Sequence, residues 1–465
     1  MNMINVRRLT VMTFLGASML SGISAQVSPL QVDTLKETKI PDQWDLQSCI
    51  DYAKEQNITI RKNRITAVST QIDVKTAKAA LFPSLSFSTG HQVVNRPYQE
   101  TSSRVSGSEI ISSNSKTSYN GNYGLNASWT LYNGNKRLKT IQQEKLNNQM
   151  AELDVATSEN NIQESIAQVY IQILYAAESV KVNENTLQVS IAQRDRGQEL
   201  LSAGSIAKSD LAQLEAQVST DRYQLVTAQA TLEDYKLQLK QLLELDGENE
   251  MNIYLPALSD ENVLAPLPTK KDVYIRALSL RPEIEASKLN VEASELGIGI
   301  AKSSYLPTIS LSAGIGTNHT SGSDFTFGEQ VKNGWNNSIG LSVSVPIFNN
   351  RQTKSAVQKA KLQYETSMLS LLDEQKTLYK TIEGLWLDAN SAQQRYAAAN
   401  EKLKSTQISY ELISEQFNLG MKNTVELLTE KNNLLQAQQE QLQAKYMAIL
   451  NTQLLKFYQG DQLAL

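Results

Sequence analysis

The chain has 465 residues and a formal net charge of −4, and it contains no long run of Lys and Arg. Nucleic acid is therefore set aside as the main partner, since phosphate binding needs clustered basic residues. The only cysteine, Cys49, cannot form a disulfide within the chain.

The first 25 residues have the organisation of a secretory signal peptide. Arg7 and Arg8 precede an apolar stretch from Leu9 to Leu20, and small residues then lead to Ala25. The apolar stretch is too short to serve as a lasting membrane anchor. We expect residues 1–25 to be a signal peptide that is cleaved after Ala25, a buried helix being the alternative.

A helix is predicted over Asp45–Phe82, and Pro83 ends it because proline lacks an N–H and restricts the residue before it. Residues 84–93 and 119–131 then show a period of two, in which apolar side chains alternate with small or polar ones. Alternation of this length is typical of barrel strands that face lipid on one side and water on the other. A soluble β-sandwich is the alternative interpretation.

Aromatic side chains near the strand ends favour the membrane interpretation, because such residues form girdles at the two interfaces of barrel proteins. They lie beside the helices at Phe82, Tyr132, Tyr305 and Phe348, and toward the loops at Tyr98, Tyr119 and Trp335. The loops are predicted at 95–116 and 317–334, where Ser, Asn, Gly and Thr predominate.

The segment from Asn135 to about Leu200 contains no proline and hardly a glycine. It predicts a helix of about 66 residues and about 100 Å, which needs a coiled-coil partner. The chain then turns at Gly204, a residue suited to the left-handed position after a helix, and returns over 206–245. Apolar residues recur there at heptad spacing, at Leu211, Val218, Leu225, Leu232 and Leu239.

The second half of the sequence repeats the first. Residues 135–204 match residues 351–420 at a constant offset of 216, and upstream the offset becomes 224. In the second copy the strands are predicted at 309–316 and 338–347. The predicted domains are a signal peptide at 1–25, a first structural repeat at 26–245, a connector midway along the helical column at 246–270, and a second structural repeat at 271–465.

Each chain therefore has four predicted barrel strands, which cannot close a barrel alone. An open sheet edge in lipid would leave backbone N–H and C=O groups without hydrogen-bond partners. Copies of one chain most often associate in cyclic oligomers, and three copies would supply twelve strands. The predicted fold class is a mixed membrane β-barrel plus a long α-helical coiled-coil tunnel, with the twelve-stranded barrel formed by a trimer.

Short motifs occur in the same order in both copies. They are Phe82-Pro83-Ser84-Leu85 and Ala203-Gly204 with Asp210-Leu211, then Leu306-Pro307-Thr308-Ile309 and Leu419-Gly420 with Glu426-Leu427. With this order, the sequence from Trp44 to Gly460 resembles the TolC-like outer membrane efflux protein family. The resemblance implies a homotrimeric outer membrane channel whose helical tunnel lies in the periplasm and docks on a periplasmic adaptor protein and an inner membrane pump.

The cargo implied by the resemblance is small molecules, such as drugs and toxic compounds, or secreted polypeptide. A general outer membrane porin and a periplasmic coiled-coil structural protein are the alternative functions. A porin would share the barrel but would not need a helix of about 100 Å. A coiled-coil structural protein would not need alternating strands with aromatic ends.

The resemblance also implies functional residues at the two glycine turns. The family has acidic residues six and nine positions after the second glycine and a basic residue two positions after it. A channel aperture is therefore expected at Asp210, Lys422 and Glu426, although Thr429 departs from the family at the ninth position. The predicted adaptor-docking tips are Ala203, Gly204, Ser205, Leu419, Gly420 and Met421.

The sequence contains no nucleophile elbow, phosphate loop or zinc motif. Its two histidines, His91 and His319, are far apart in sequence and are predicted to be polar residues of the lumen or the loops. We therefore expect a conduit without catalytic residues, cofactor or metal, and not an enzyme.

Overall fold

The computed structural model describes residues 41–98, 102–106, 109–113, 116–246, 251–256, 263–321 and 325–463. The helices are α1 (Leu46–Gln56), α2 (Ile58–Ala79), α3 (Lys136–Ser202), α4 (Lys208–Leu242), α5 (Lys270–Leu280), α6 (Pro282–Ser303), α7 (Phe327–Asn333), α8 (Gln352–Asn418) and α9 (Thr424–Tyr458). The strands are β1 (Ser84–Asn95), β2 (Ser102–Ser106), β3 (Glu109–Ser113), β4 (Thr117–Asn133), β5 (Thr308–Thr320) and β6 (Asn336–Ser344). The predicted signal peptide lies outside the described residues.

Four strands form one antiparallel sheet in the order β1-β4-β5-β6, and β2 pairs with β3 in a separate hairpin. The predicted alternation is confirmed by the register, because residues of one kind lie opposite each other across all four strands. One row is apolar and contains Leu85, Ala127, Ala313 and Ile339. The next row is polar or small and contains Ser86, Asn126, Gly314 and Ser338. The sheet therefore has an apolar face and a polar face.

The apolar face of the sheet is not covered by the rest of the described chain. Phe87 is 67% exposed, Ile339 is 82% exposed and Leu341 is 65% exposed. Neighbouring large apolar side chains at such exposure indicate a surface that contacts lipid or another chain. Among the described residues, no helix has the length and apolar character needed to cross a membrane.

Both segments predicted as loops contain regular structure. Residues 95–116 include the β2–β3 hairpin, and residues 317–334 include the end of β5 and the helix α7. Helix α7 begins with a capping box, in which the N–H of Thr326 donates to the carboxylate of Glu329 at 2.8 Å. This spacing of Thr and Glu is a local helix-start signal, and the loop prediction overlooked it.

The last strand of the second copy is shorter than predicted. Strand β6 ends at Ser344, so Val345 and Ile347 follow the strand and do not belong to it. Pro346 lies between them and has no N–H to donate to a sheet, which explains why pairing stops.

The opening helix predicted over Asp45–Phe82 is divided into α1 and α2 at Asn57. The backbone of Asn57 is not helical (φ −58°, ψ 127°), and its side chain accepts hydrogen bonds from the N–H groups of Thr59 and Ile60. Its amide group also donates to the carbonyl of Leu242, at the end of α4, at 3.0 Å. Neither proline nor glycine marks this break, so a single continuous helix was the wrong prediction.

The second copy breaks at the equivalent residue. Arg281 lies 224 residues after Asn57 and separates α5 from α6, which match α1 and α2 in length. The guanidinium of Arg281 is buried, lies 2.6 Å from the carboxylate of Glu164 on α3, and stacks over the ring of Tyr458 at 3.6 Å. The break is thus held in both copies by a side chain that reaches another helix.

The long helices confirm the predicted duplication. Helices α3 and α8 have 67 residues each, and α4 and α9 have 35 residues each. The described residues with a left-handed backbone also form pairs 216 residues apart: Gly134 with Asn350, Asn135 with Arg351, Gly204 with Gly420, and Glu244 with Gly460. The two copies therefore share the geometry of their turns as well as the lengths of their helices.

The largest buried cluster surrounds the middle of α3. It includes Trp44, Tyr170, Leu239 and Leu450, which come from four different parts of the chain. The hydroxyl of Tyr170 donates to the carbonyl of Tyr254, in the predicted connector, at 2.6 Å. This packing joins the segment between the copies to the longest helix of the first copy.

Candidate functional site

The α3–α4 and α8–α9 turns, which carry the predicted tips, have the same backbone geometry. Gly204 has φ +75° and Gly420 has φ +73°. The N–H of Ser205 donates to the carbonyl of Leu200 at 2.8 Å, and the equivalent N–H of Met421 donates to the carbonyl of Gln416 at 2.8 Å. This bond closes the end of each long helix and requires the left-handed residue that glycine supplies most easily.

The six predicted tip residues are all exposed in the chain. They are Ala203, Gly204, Ser205, Leu419, Gly420 and Met421. Leu419 and Met421 are each 69% exposed, so the second turn presents two large apolar side chains to its surroundings. Exposed apolar side chains of this size at a turn fit a contact with another protein.

The predicted aperture carboxylates, Asp210 and Glu426, occupy equivalent positions in the first turns of α4 and α9. The carboxylate of Asp210 accepts a hydrogen bond from the N–H of Ala207 at 3.0 Å. The carboxylate of Glu426 accepts one from the N–H of Asn423 at 3.2 Å, and the side chain of Asn423 accepts one in return at 2.9 Å. Both acidic residues therefore cap their own helices, a role that the sequence interpretation did not assign to them.

Lys422 and Glu426 form an ion pair, with the Lys422 ammonium 2.6 Å from a carboxylate oxygen. The Lys422 ammonium and the N–H of Asn423 stabilise the charged carboxylate and lower the pKa of Glu426 below its usual value of 4.5. A lowered carboxyl pKa means that this contact is complete above pH 4.5 and is lost as the pH falls through the lower value of the folded protein. Asp210 forms no ion pair within the described part of the chain.

A small apolar cluster brings the two turns of one chain together. Leu214 on α4, Phe417 on α8 and Leu427 on α9 are buried against each other. Half-buried side chains complete the cluster, at Leu200, Tyr410, Ile413 and Leu428. The two tips are therefore side by side in each chain, and the heptad leucines at this end pack as predicted.

Comparison with known proteins decides the family. Residues 49–244 and 273–460, which together make up most of the chain, match the family model described as outer membrane efflux protein. The chain belongs to the outer membrane efflux protein family. The resemblance inferred from the repeated motifs is thereby confirmed, and the chain is an outer membrane protein.

Individual relatives of this outer membrane efflux protein are distant in sequence and close in fold. The outer membrane efflux protein BepC of Brucella suis is 24% identical over 294 residues, which are 63% of this chain and 61% of BepC. The outer membrane protein TolC of Escherichia coli is 24% identical over 294 residues, 61% of this chain and 58% of TolC. The match thus spans about three fifths of either relative. A crystal structure of CusC superposes with a TM-score of 0.76 at 19% identity, covering 90% of this chain and 92% of CusC.

The efflux protein also has a buried charged group that the sequence interpretation missed. Lys431 of α9 donates hydrogen bonds to Asp221 of α4 and to Ser190 of α3, and the Ser190 hydroxyl also donates to Asp221. All three side chains are at most 3% exposed. Burial lowers the pKa of Lys431, and Asp221 opposes that shift. We call these three residues the buried triad.

A sequence signal for the buried triad existed. Lys431 stands between Leu427 and Leu434 on one helical stripe, at spacings that normally carry core side chains. A lysine in such a position needs a buried partner of opposite charge, which the sequence alone does not identify.

The two histidines are not lumen or loop residues, so that prediction was wrong. His91 lies in β1 and His319 in β5. By alternation, His91 shares the apolar face of the sheet with Leu85 and Phe87, and His319 shares it with Ala313. The sheet brings the two side chains to the same place, which sequence distance alone could not indicate.

Proposed function

We propose that three copies of this chain form an outer membrane channel that conducts exported compounds from the periplasm to the exterior. The observation that carries this proposal is the sheet of four strands, which has one apolar face, one polar face and helices of 67 residues running from it. A trimer would turn the apolar face to lipid and the polar face to a water-filled lumen.

The edges of the sheet support closure between chains. Strands β1 and β6 each have a partner on one side within the chain. In lipid, their free edges would leave N–H and C=O groups unpaired, so pairing of β6 with β1 of the next copy is strongly favoured. Three copies joined in this way give a twelve-stranded barrel, which is wide enough to enclose a lumen.

The division of the chain follows the same proposal. Residues 26–245 and 271–465 form the two structural repeats, and residues 246–270 connect them midway along the helical tunnel. In the assembled channel the helices extend into the periplasm, and the turns at Gly204 and Gly420 form its far end. Asp210, Lys422 and Glu426 then surround the narrowest part of the tunnel.

The family and the name of BepC both indicate efflux. We propose that the cargo consists of small molecules such as drugs and toxic compounds, with secreted polypeptide as the alternative cargo. The channel receives this cargo from an inner membrane pump through a periplasmic adaptor protein. It acts as a conduit and not as an enzyme, because its polar face consists largely of Ser, Asn and Gly side chains without a reactive group.

Recording in planar lipid bilayers tests the proposed channel. Purified protein should insert and give stepwise, cation-selective currents that are small, because the paired tips keep the periplasmic end narrow. A heat-denatured sample of the same preparation is the control. A general porin would give large, permanently open steps, and a structural coiled-coil protein would give none.

Site-specific photocrosslinking tests the proposed docking tips. A photoreactive amino acid at Leu419 or Met421 should form adducts with a periplasmic adaptor protein in cells, because six near-equivalent tips per trimer face the adaptor. The matched control is the same amino acid at Tyr254, which is 46% exposed in the connector. Adducts that form at Tyr254 and not at the tips would place docking elsewhere.

A further inference from the structure

The two histidines of the chain face the same glycine from opposite sides. His91 on β1 lies directly across from Gly121 on β4, and Gly121 lies directly across from His319 on β5. The three residues form one cross-strand row toward the loop end of the sheet. No other histidine occurs in the sequence.

Gly121 leaves a space that both imidazole rings enter. A Cβ atom built on Gly121 would lie 2.6 Å from Nδ1 of His319 and 3.2 Å from Nδ1 of His91. Both ring nitrogens therefore approach one point above the glycine, and any larger residue would fill that point. The convergence is specific to these two nitrogens of the described sheet and not a general crowding of side chains.

Aromatic and hydroxyl groups enclose the space. The hydroxyl of Tyr119 lies 2.7 Å from Nδ1 of His91, and the hydroxyl of Thr89 lies 3.1 Å from Nε2 of the same ring. His319 packs against the rings of Tyr119, Tyr123 and Phe327, at centroid distances of 5.2, 6.0 and 4.9 Å. These contacts fix both imidazole rings in orientation.

One ring nitrogen in this row lacks a partner. Nδ1 of His319 is enclosed and forms no hydrogen bond to any described residue. An enclosed polar atom without a partner is rare, because it loses its hydrogen bond to water and gains nothing in exchange. A bound ion at the point above Gly121 would satisfy this nitrogen.

We infer that His91 and His319 bind a divalent transition-metal ion over Gly121. Neutral imidazole nitrogen is a ligand that suits Cu²⁺, Zn²⁺ and Ni²⁺. The hydroxyl of Tyr119 is close enough to serve as a third ligand or to hold the His91 ring. The described residues contain no group of three or more His, Cys, Asp and Glu side chains, so water completes the coordination shell. The inference does not depend on the proposed channel function, because the site is on the apolar face and not in the lumen.

Electron paramagnetic resonance with Cu²⁺ tests the site on untagged, full-length protein in detergent. Cu²⁺ is the probe because nitrogen and oxygen sites bind it more tightly than other divalent first-row metals. One equivalent per chain should show hyperfine coupling to two imidazole nitrogens. His91→Gln and His319→Gln should each show coupling to one nitrogen, and the double variant should show none.

Two further variants separate metal binding from a packing role. Gly121→Ala keeps both histidines but fills the shared point, so the two-nitrogen signal should disappear. Tyr119→Phe should weaken Cu²⁺ binding by about tenfold if the hydroxyl positions His91. Unchanged channel currents would show that these variants are folded. Absence of two-nitrogen coupling in the unaltered protein, or equally tight binding by the double variant, would overturn the inference.

Discussion

Replacement of Lys431 by methionine should lower the free energy of unfolding of the helical region by about 3–5 kcal/mol. Lys431 is 3% exposed, and its charge neutralises Asp221, which is 1% exposed. Without the lysine, Asp221 would keep its negative charge in a buried place or take up a proton, and both cost free energy. The amide of Gln217, which donates to Asp221 at 2.8 Å, cannot replace the lost charge.

Thermal and denaturant unfolding followed by circular dichroism at the helical band measures this effect. The matched control is Lys404→Met, which removes an exposed lysine from α8 and should change stability by no more than about 0.5 kcal/mol. The double variant Lys431→Met with Asp221→Leu removes both charges and should recover most of the loss. If the double variant loses as much as the sum of the single variants, the two charges are not coupled.

The buried triad also bears on how the two helix pairs of one chain move. Ser190 and Asp221 belong to α3 and α4, whereas Lys431 belongs to α9. The triad therefore ties the first pair of long helices to the second, a short distance from the turns. Separation of the tips during opening is then easier beyond the triad than at it, since breaking a buried ion pair costs more than breaking an exposed one.

Removal of the charges at the proposed aperture should change the current through the channel in two distinct ways. Glu426→Gln should shift ion selectivity from cations toward no preference, because three carboxylates around one axis attract cations. Lys422→Ser should raise the conductance, because it removes the ion pair that Lys422 forms with Glu426. Single-channel recording in planar bilayers measures both effects.

The same recording provides a control and a pH test. Glu233→Gln removes an equal charge from α4, far from the tips, where the side chain is 69% exposed, and should leave selectivity unchanged. Acidification of the periplasmic side below pH 4.5 should mimic Glu426→Gln, because the pKa of Glu426 is lowered and its charge is lost only as the pH falls through that lower value. Unaltered selectivity in Glu426→Gln together with unaltered conductance in Lys422→Ser would place the constriction elsewhere.

The features predicted correctly from the sequence are those with local or periodic signals. Absence of proline over 136–202 specified the length of α3, and glycine at 204 and 420 specified the left-handed turns. Alternation specified which residues share a face of the sheet, because a period of two fixes the side of each residue once the strand is recognised.

The features that were missed depend on contacts between distant segments. The break at Asn57 is held by the carbonyl of Leu242, which no local pattern reveals. The meeting of His91 and His319 depends on the register of three strands, which sequence distance conceals. Lys431 was visible as a charge in an apolar stripe, but its partner, Asp221, lies on another helix. In each case a tertiary contact decided the local structure.

Electron cryomicroscopy of the protein in lipid nanodiscs is the most direct test of the proposed channel. The account predicts three copies around one axis, with β6 of each copy paired to β1 of the next and the apolar face that includes Leu85 and Ile339 against lipid. The tunnel should be narrowest at the level of Asp210 and Glu426. A single chain with unpaired edges, or a trimer whose sheets turn Leu85 and Ile339 inward, would contradict it.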